Sequence, residues 1–209
     1  MDAAFARYIS SIGRAVETFR QRHGVFVILV AMERLDARAC EALAPRLGQA
    51  AIFTSDQYNM YDLVSVLRSC DLMVSSRYHG IVTAMPGLVP SAGVTMDERI
   101  RNLMIERGNE DLLMTVDDPD LEARLLVAME KLRNESDAVR DAIGRTVVSN
   151  LKRMARMGIF LEQNVRERYP EFPIAGGVRS WEEYLPALNP ALVSLVETYE
   201  SRVHAASAG

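Results

Sequence analysis

The segment Ser75-Ser76-Arg77-Tyr78-His79-Gly80 gathers the residue types from which an anion site is made. Arg77 offers a planar fork of donors, always charged, that fits a carboxylate or a phosphate. His79 carries an imidazole whose ordinary pKa of about 6.5 lets it give or take a proton near neutrality. Ser75 and Ser76 add hydroxyls, and Gly80 would let a ligand come close to the backbone. A helix should follow, aiming unpaired N–H groups at the same place and favouring negative charge. The purely structural alternative pairs Arg77 with Asp71 or Asp62 and uses His79 as a helix cap.

Other residues invite weaker readings. Asp97-Glu98-Arg99 follows the next expected strand, so it should share the same sheet edge, where Arg99 could meet a second charge on one ligand. The simpler role for Glu98 is an acid favourable to a helix start. Glu33, Arg34 and Asp36 follow the first strand and could reach the cleft, with solvation the simpler reading. His23 and His204 read as structural or exposed. Asp117-Asp118-Pro119-Asp120 suits a helix cap better than a metal cluster. No Gly-rich phosphate loop, nucleophile elbow or zinc spacing occurs, so no cofactor or metal is expected.

The elements that must position these residues alternate. Phe5, Ile9, Ile12, Val16 and Phe19 recur at helical spacing over 4–22, and His23-Gly24 closes that helix. The unbroken apolar run 25–32 predicts a strand covered on both faces, as in a parallel sheet. A helix over 34–47 ends at Gly48, and a short strand follows at 51–53. Asn59 and Asp62 form a capping-box signature before a helix that stops near Cys70. Strand 72–75 enters the anion motif, with a short helix around 81–85. Strand 89–94, a helix over 98–107, strand 112–116 and a helix from Asp117 to about 133, with Pro119 near its first turn, complete the pattern. Five strand–helix alternations predict one doubly wound, parallel α/β sheet over 1–135. In such sheets ligands bind at the carboxyl ends of the strands.

Residues 136–209 differ. From Asp137 to Tyr169 no proline interrupts an apolar stripe at mostly helical intervals. One small sheet cannot cover so long a helix, so part of its stripe is expected to meet another domain or a second subunit. Pro170 stops it. An extended tail over 170–188, with Gly176 and Gly177, has Trp181 and Tyr184 as anchors. A last helix should span 190–203, with residues 205–209 disordered.

The 209 residues carry 24 Lys and Arg against 28 Asp and Glu, a net charge of -4. That balance does not point to nucleic acid, which favours a basic face. No apolar run reaches transmembrane length, and the first residues are unlike a signal peptide. The two cysteines, Cys40 and Cys70, have no metal-ligand spacing, and a reduced, cytoplasmic setting is expected.

The stretch 62–107 resembles the polysaccharide pyruvyl transferase family. The likeness rests on Asp71-Leu72-Met73-Val74-Ser75-Ser76, then Arg77-Tyr78-His79-Gly80, Val89-Pro90, and the loop Met96-Asp97-Glu98-Arg99. Looser similarity covers about residues 5–135. The resemblance implies a Rossmann-like lobe of a GT-B-like, two-lobed enzyme that moves a pyruvyl group from phosphoenolpyruvate onto a sugar or glycan as a ketal. It assigns donor binding to Arg77 and His79, with proton transfer by His79. Ser76, Gly80, Asp97 and Arg99 would line the same site, Arg99 standing where the family often has a lysine. The family's first lobe has no counterpart here, so the chain is expected to be the donor-binding half, its partner lobe meeting the helix 137–169. Two other readings stay open: a GT-B-like glycosyltransferase lobe holding a nucleotide-sugar, and a catalytically silent module that works through the long helix.

Overall fold

The computed structural model describes residues 3–95, 97–174 and 179–207, with side chains through Arg202. The expectations placed on Met96, Gly176, Gly177, the His204 side chain and the last two residues lie outside the described residues. Two compact units divide the chain, residues 1–143 and 144–209.

In the first unit, helix α1 (Ala3–His23) buries Ile9, Ile12, Ala15 and Phe19 along one face. That face packs on α6 (Leu121–Asn134), which answers with Leu121, Leu125, Ala128, Met129 and Leu132. Each fully buried Leu or Ile contributes about 1.5–3 kcal/mol. At the rim, Arg14 Nε meets Glu122 at 2.6 Å and His23 Nε2 meets Glu130 at 2.9 Å. His23 is therefore structural. Exposed ion pairs of this kind add about 1 kcal/mol or less, so the apolar seam carries the packing.

Strands β1 (Ile28–Ala31) and β2 (Ala51–Thr54) pair in parallel. Between them run a 3-10 turn at Arg34–Asp36, helix α2 (Ala37–Leu43) and a second 3-10 turn at Ala44–Leu47. Gly48, at φ 66°, ends that passage in a left-handed conformation that costs glycine nothing. Strands β3 (Met73–Ser75), β4 (Ser91–Thr95) and β5 (Leu113–Thr115) form a second parallel sheet in that order. Helices α3 (Met60–Arg68), α4 (Tyr78–Ala84) and α5 (Glu98–Glu106) alternate with these strands. The Asn59 capping box is present, its side chain accepting from the Tyr61 and Asp62 amides.

The architecture is thus α/β with parallel sheets, but the single five-stranded sheet expected from the alternation is replaced by two hydrogen-bonded sheets of two and three strands. The cause lies in the run 25–32. Only four of its residues are strand, and Phe26 is 85% exposed, so the run is not covered on both faces. Side chains, not ladder bonds, join the two sheets: Met32 beyond β1, Met73 of β3, Leu63, Leu67, Ala84 and Val89 form one buried cluster, with Val30 and Phe53 against it. Two boundaries also move. Pro90 precedes β4, and Pro119 precedes α6 rather than opening it.

β4 is buried at every position. Its small residues admit α5 closely: a Cβ at Gly93 would sit 2.5 Å from Ile100 Cγ2. At the end of α5, Arg107 is buried, donates from one terminal nitrogen to Ser91 Oγ at 2.9 Å, and leaves its Nε without a partner. Burial pulls its pKa down to about 10. A buried charge without a carboxylate costs more than one serine returns. Arg107→Met is therefore expected to stabilise the chain by about 1 kcal/mol, raising Tm by about 2–4 °C in a thermal melt.

Helix α7 (Ser136–Arg168) begins in the first unit and continues through the second. In the second unit it packs on α8 (Pro190–Ser207), where Gly144 faces the ring of Tyr199 and Lys152 meets Glu200 at 2.8 Å. α8 carries the chain as helix through Ser207, past the end expected for it. A 3-10 turn at Trp181–Tyr184, capped by Ser180, supplies both expected anchors: Tyr184 lies against Gly158, and Lys152 sits over the Trp181 ring at 5.5 Å. Among the described residues no helix is long and apolar enough to cross a membrane.

Candidate functional site

Three segments that leave carboxyl ends of strands come together. Beyond β1 are Glu33 and Asp36, beyond β3 are Ser76 and Arg77, and beyond β4 are Asp97 and Arg99. Two strands end in the same way. Ser75 Oγ accepts from the Arg77 amide and donates to the Arg77 carbonyl, both at 3.0 Å. Thr95 Oγ1 treats Asp97 alike, at 2.7 and 3.1 Å. These hydroxyl turns fix how the chain leaves each strand before α4 and α5 begin.

Arg77 is half-buried and held by two carboxylates. Its Nε and one terminal nitrogen donate to Asp36 Oδ1 at 2.8 and 2.6 Å, and the other terminal nitrogen faces Glu33 Oε2 at 3.2 Å. Asp36 is itself fixed, its second oxygen accepting from the Glu33 amide at 3.1 Å. Hydrogen bonding to Asp36 raises the Arg77 pKa further. The partners are neither Asp71 nor Asp62, and Glu33 and Asp36 are not merely solvated. The Asp36 side chain is 17% exposed, whereas that of Glu33 is 53% exposed. One contact is therefore built in and the other can be displaced.

Arg99 stands beside this pair. Its guanidinium lies 5.6 Å from the centre of the Tyr78 ring and close enough to Arg77 to act against its charge. Asp97 caps α5 by accepting from the Arg99 amide at 2.7 Å, and its other oxygen takes the Arg99 side chain, with Nε at 2.8 Å. Those bonds hold the Asp97 carboxyl below its usual range. The expectation that Arg99 shares an edge with Arg77 is met. Locally, two arginines face three carboxylates, which compete with any incoming anion.

His79 is exposed, in the first turn of α4, its ring 5.6 Å from that of Tyr78 and edge-on. It does not cap the helix, whose boundary residue is Arg77. Gly80 is a correction. It is buried, and a Cβ there would lie 2.8 Å from Ser75 Oγ. Its missing side chain admits the hydroxyl turn of β3, not a ligand. Ser76 is exposed and hydrogen-bonds with Tyr8 of α1. Burial raises the Tyr8 pKa, with the Ser76 bond working against it and Asp36 and Cys40 adding to it. Sequence reasoning missed Tyr8 because its helical position reads as part of an apolar face, and only the tertiary fold brings it to the strand ends.

Among the described residues, no three His, Cys, Asp or Glu gather to hold a metal. A cavity of about 260 Å³ lies away from the arginine pair, lined in part by Arg101, Thr115 and Arg124. Arg124 is committed there, to Asp118 and to the Leu113 carbonyl at 3.0 Å. Burial pushes the Cys40 thiol up to about 11, which makes it a poor nucleophile. No family model, curated protein or solved structure matches this chain.

Proposed function

We propose that the chain is a donor-binding lobe of polysaccharide pyruvyl transferase type, holding phosphoenolpyruvate for transfer of its pyruvyl group to a sugar or glycan. The observation that carries the reading is the arginine pair: Arg77 and Arg99 follow adjacent parallel strands, Arg99 over the Tyr78 ring, at the sheet edge where α/β folds hold ligands. We read the two sheets as parts of one Rossmann-like lobe, because a shared apolar cluster joins them and every strand pair is parallel. Phosphoenolpyruvate carries a carboxylate and a phosphate on one enol carbon, and two guanidinium groups match two anionic groups.

In this reading Asp36 orients Arg77 and Glu33 gives way to the donor. Positioning and charge neutralisation are the arginines' contribution. His79, exposed next to them, serves as the acid that protonates the enol carbon and then as the base that takes a proton from a sugar hydroxyl. One hydroxyl adds at the ketal carbon, returning its proton to His79, and the second displaces phosphate, which carries off the other hydroxyl proton. A glycosyltransferase lobe would use the same arginines for a diphosphate. Saturation-transfer NMR with phosphoenolpyruvate and with nucleotide-sugars separates the two: transfer to the former alone is expected, and transfer only to nucleotide-sugars would overturn the pyruvyl reading.

A silent interaction module is the second reading. The closure of both arginines by Asp36, Glu33 and Asp97 favours it, since a finished ion network needs no ligand. Absence of phosphoenolpyruvate binding by a folded sample would leave this reading standing.

A further inference from the structure

Helix α7 has a second apolar face. Its inner face carries Ala155, fully buried, and Gly158 against Tyr184. On the outer face Met154, Met157, Phe160 and Leu161 are 49, 68, 65 and 66% exposed. Met154, Met157 and Leu161 are spaced by three and four, and Asn150 and Asn164 continue that spacing on either side. Alternating steps of three and four are the seam of a helix pair. Isolated apolar side chains on a surface need no explanation, but four contiguous ones on a single helix face mark an interaction site.

The charges along one edge of the seam select the partner. Arg153, which donates to Asn150 Oδ1 at 3.4 Å within the helix, and Glu167 lie seven residues before and seven after Phe160, so the three share one edge of the helix. A second α7 running antiparallel about a two-fold axis near Phe160 sets Arg153 of each copy opposite Glu167 of the other. It also packs the two Phe160 rings together and layers Met157 against Leu161. In a parallel pair this edge faces the partner's other edge, where Leu151, Gly158 and Val165 stand, and neither charge meets an opposite one. We infer that α7 forms a two-fold, antiparallel dimer through this face. The polar Asn150 and Asn164 within the seam fix its register and keep it weak. With only four apolar side chains at its centre the interface falls at the small end of specific ones, and a dissociation constant on the order of 10 μM is expected.

Sedimentation equilibrium of the whole chain over micromolar to millimolar concentration tests the inference. Wild type is expected to pass from monomer to dimer, and Phe160→Asp to stay monomeric. Glu167→Arg should weaken the dimer about tenfold by placing like charges across the edge. Adding Arg153→Glu to Glu167→Arg should restore it to within about threefold of wild type, a rescue that damaged folding would not give. Oxidised Phe160→Cys in a Cys70→Ser background should cross-link to a dimer, Cys40 being buried and Cys70 only half-buried. A wild type that is monomeric throughout, or a double reversal no better than Glu167→Arg alone, overturns the inference and leaves the face to a different polypeptide.

Discussion

Gly144→Ala is expected to destabilise the second unit by about 2 kcal/mol or more, against its own helix propensity. Alanine in place of glycine within a helix normally gains about 1 kcal/mol. Here the added Cβ would overlap the Tyr199 hydroxyl oxygen and two ring carbons, so α8 or the ring must shift. Tyr199 is buried, and overpacking of this kind costs about 1–3 kcal/mol, more where little can move. The clash outweighs the propensity. Hydrogen exchange across α8 is the measurement that reads it, with protection falling selectively there. The sign should flip in a Tyr199→Ala background. That variant is itself weaker by about 3–5 kcal/mol, but with the ring gone the added alanine should recover up to about 1 kcal/mol. Destabilisation by Gly144→Ala in both backgrounds would show that the contact with Tyr199 is not the cause.

The second large effect is expected from Arg77→Ala, and it has two parts. Phosphoenolpyruvate affinity should fall at least about thirtyfold, since truncating one partner of a hydrogen-bonded charge pair costs about 2–5 kcal/mol. Stability should also fall, because Asp36 loses the partner of a largely buried oxygen. Arg77 is partly exposed, so that cost is about 1–2 kcal/mol, or a few degrees in Tm. Asp36→Asn should reproduce part of the stability loss. It should weaken binding less than Arg77→Ala, because it misaligns the guanidinium without removing its charge. Titration calorimetry and thermal melts on the same samples separate the two parts. Equal affinity loss in both variants would show that the loss comes from disruption of the local structure and not from removal of the Arg77 charge.

Much of the fold was legible because periodicity is a local property. The stripe of Ile9, Ile12 and Phe19, the Asn59 capping box, and the glycines at 48 and 108 each act within a few residues, and each element formed where its residues called for it. The sheet was not legible. Whether β1 bonds to β3 depends on how few residues of 25–32 stay extended, and Phe26 shows that an apolar run need not be a covered one. At the site, residue types and strand order sufficed to bring Arg77 and Arg99 to one edge. They did not reveal what closes on Arg77, because Asp36 lies 41 residues away and its reach depends on a 3-10 turn after β1. Gly80 was misread for a related reason. A glycine beside an arginine suggests room for a ligand, but the space it leaves is taken by Ser75 Oγ.

The role of Arg77 as a donor anchor is tested most directly by titrating phosphoenolpyruvate into wild type and Glu33→Gln by calorimetry. If Glu33 holds the place that the donor's anion takes, Glu33→Gln removes a competing carboxylate worth about 0.5–1 kcal/mol, and binding should tighten about two- to fivefold. No binding to either protein, or weaker binding to Glu33→Gln, would contradict the donor site and leave the Arg77 network as an internal brace.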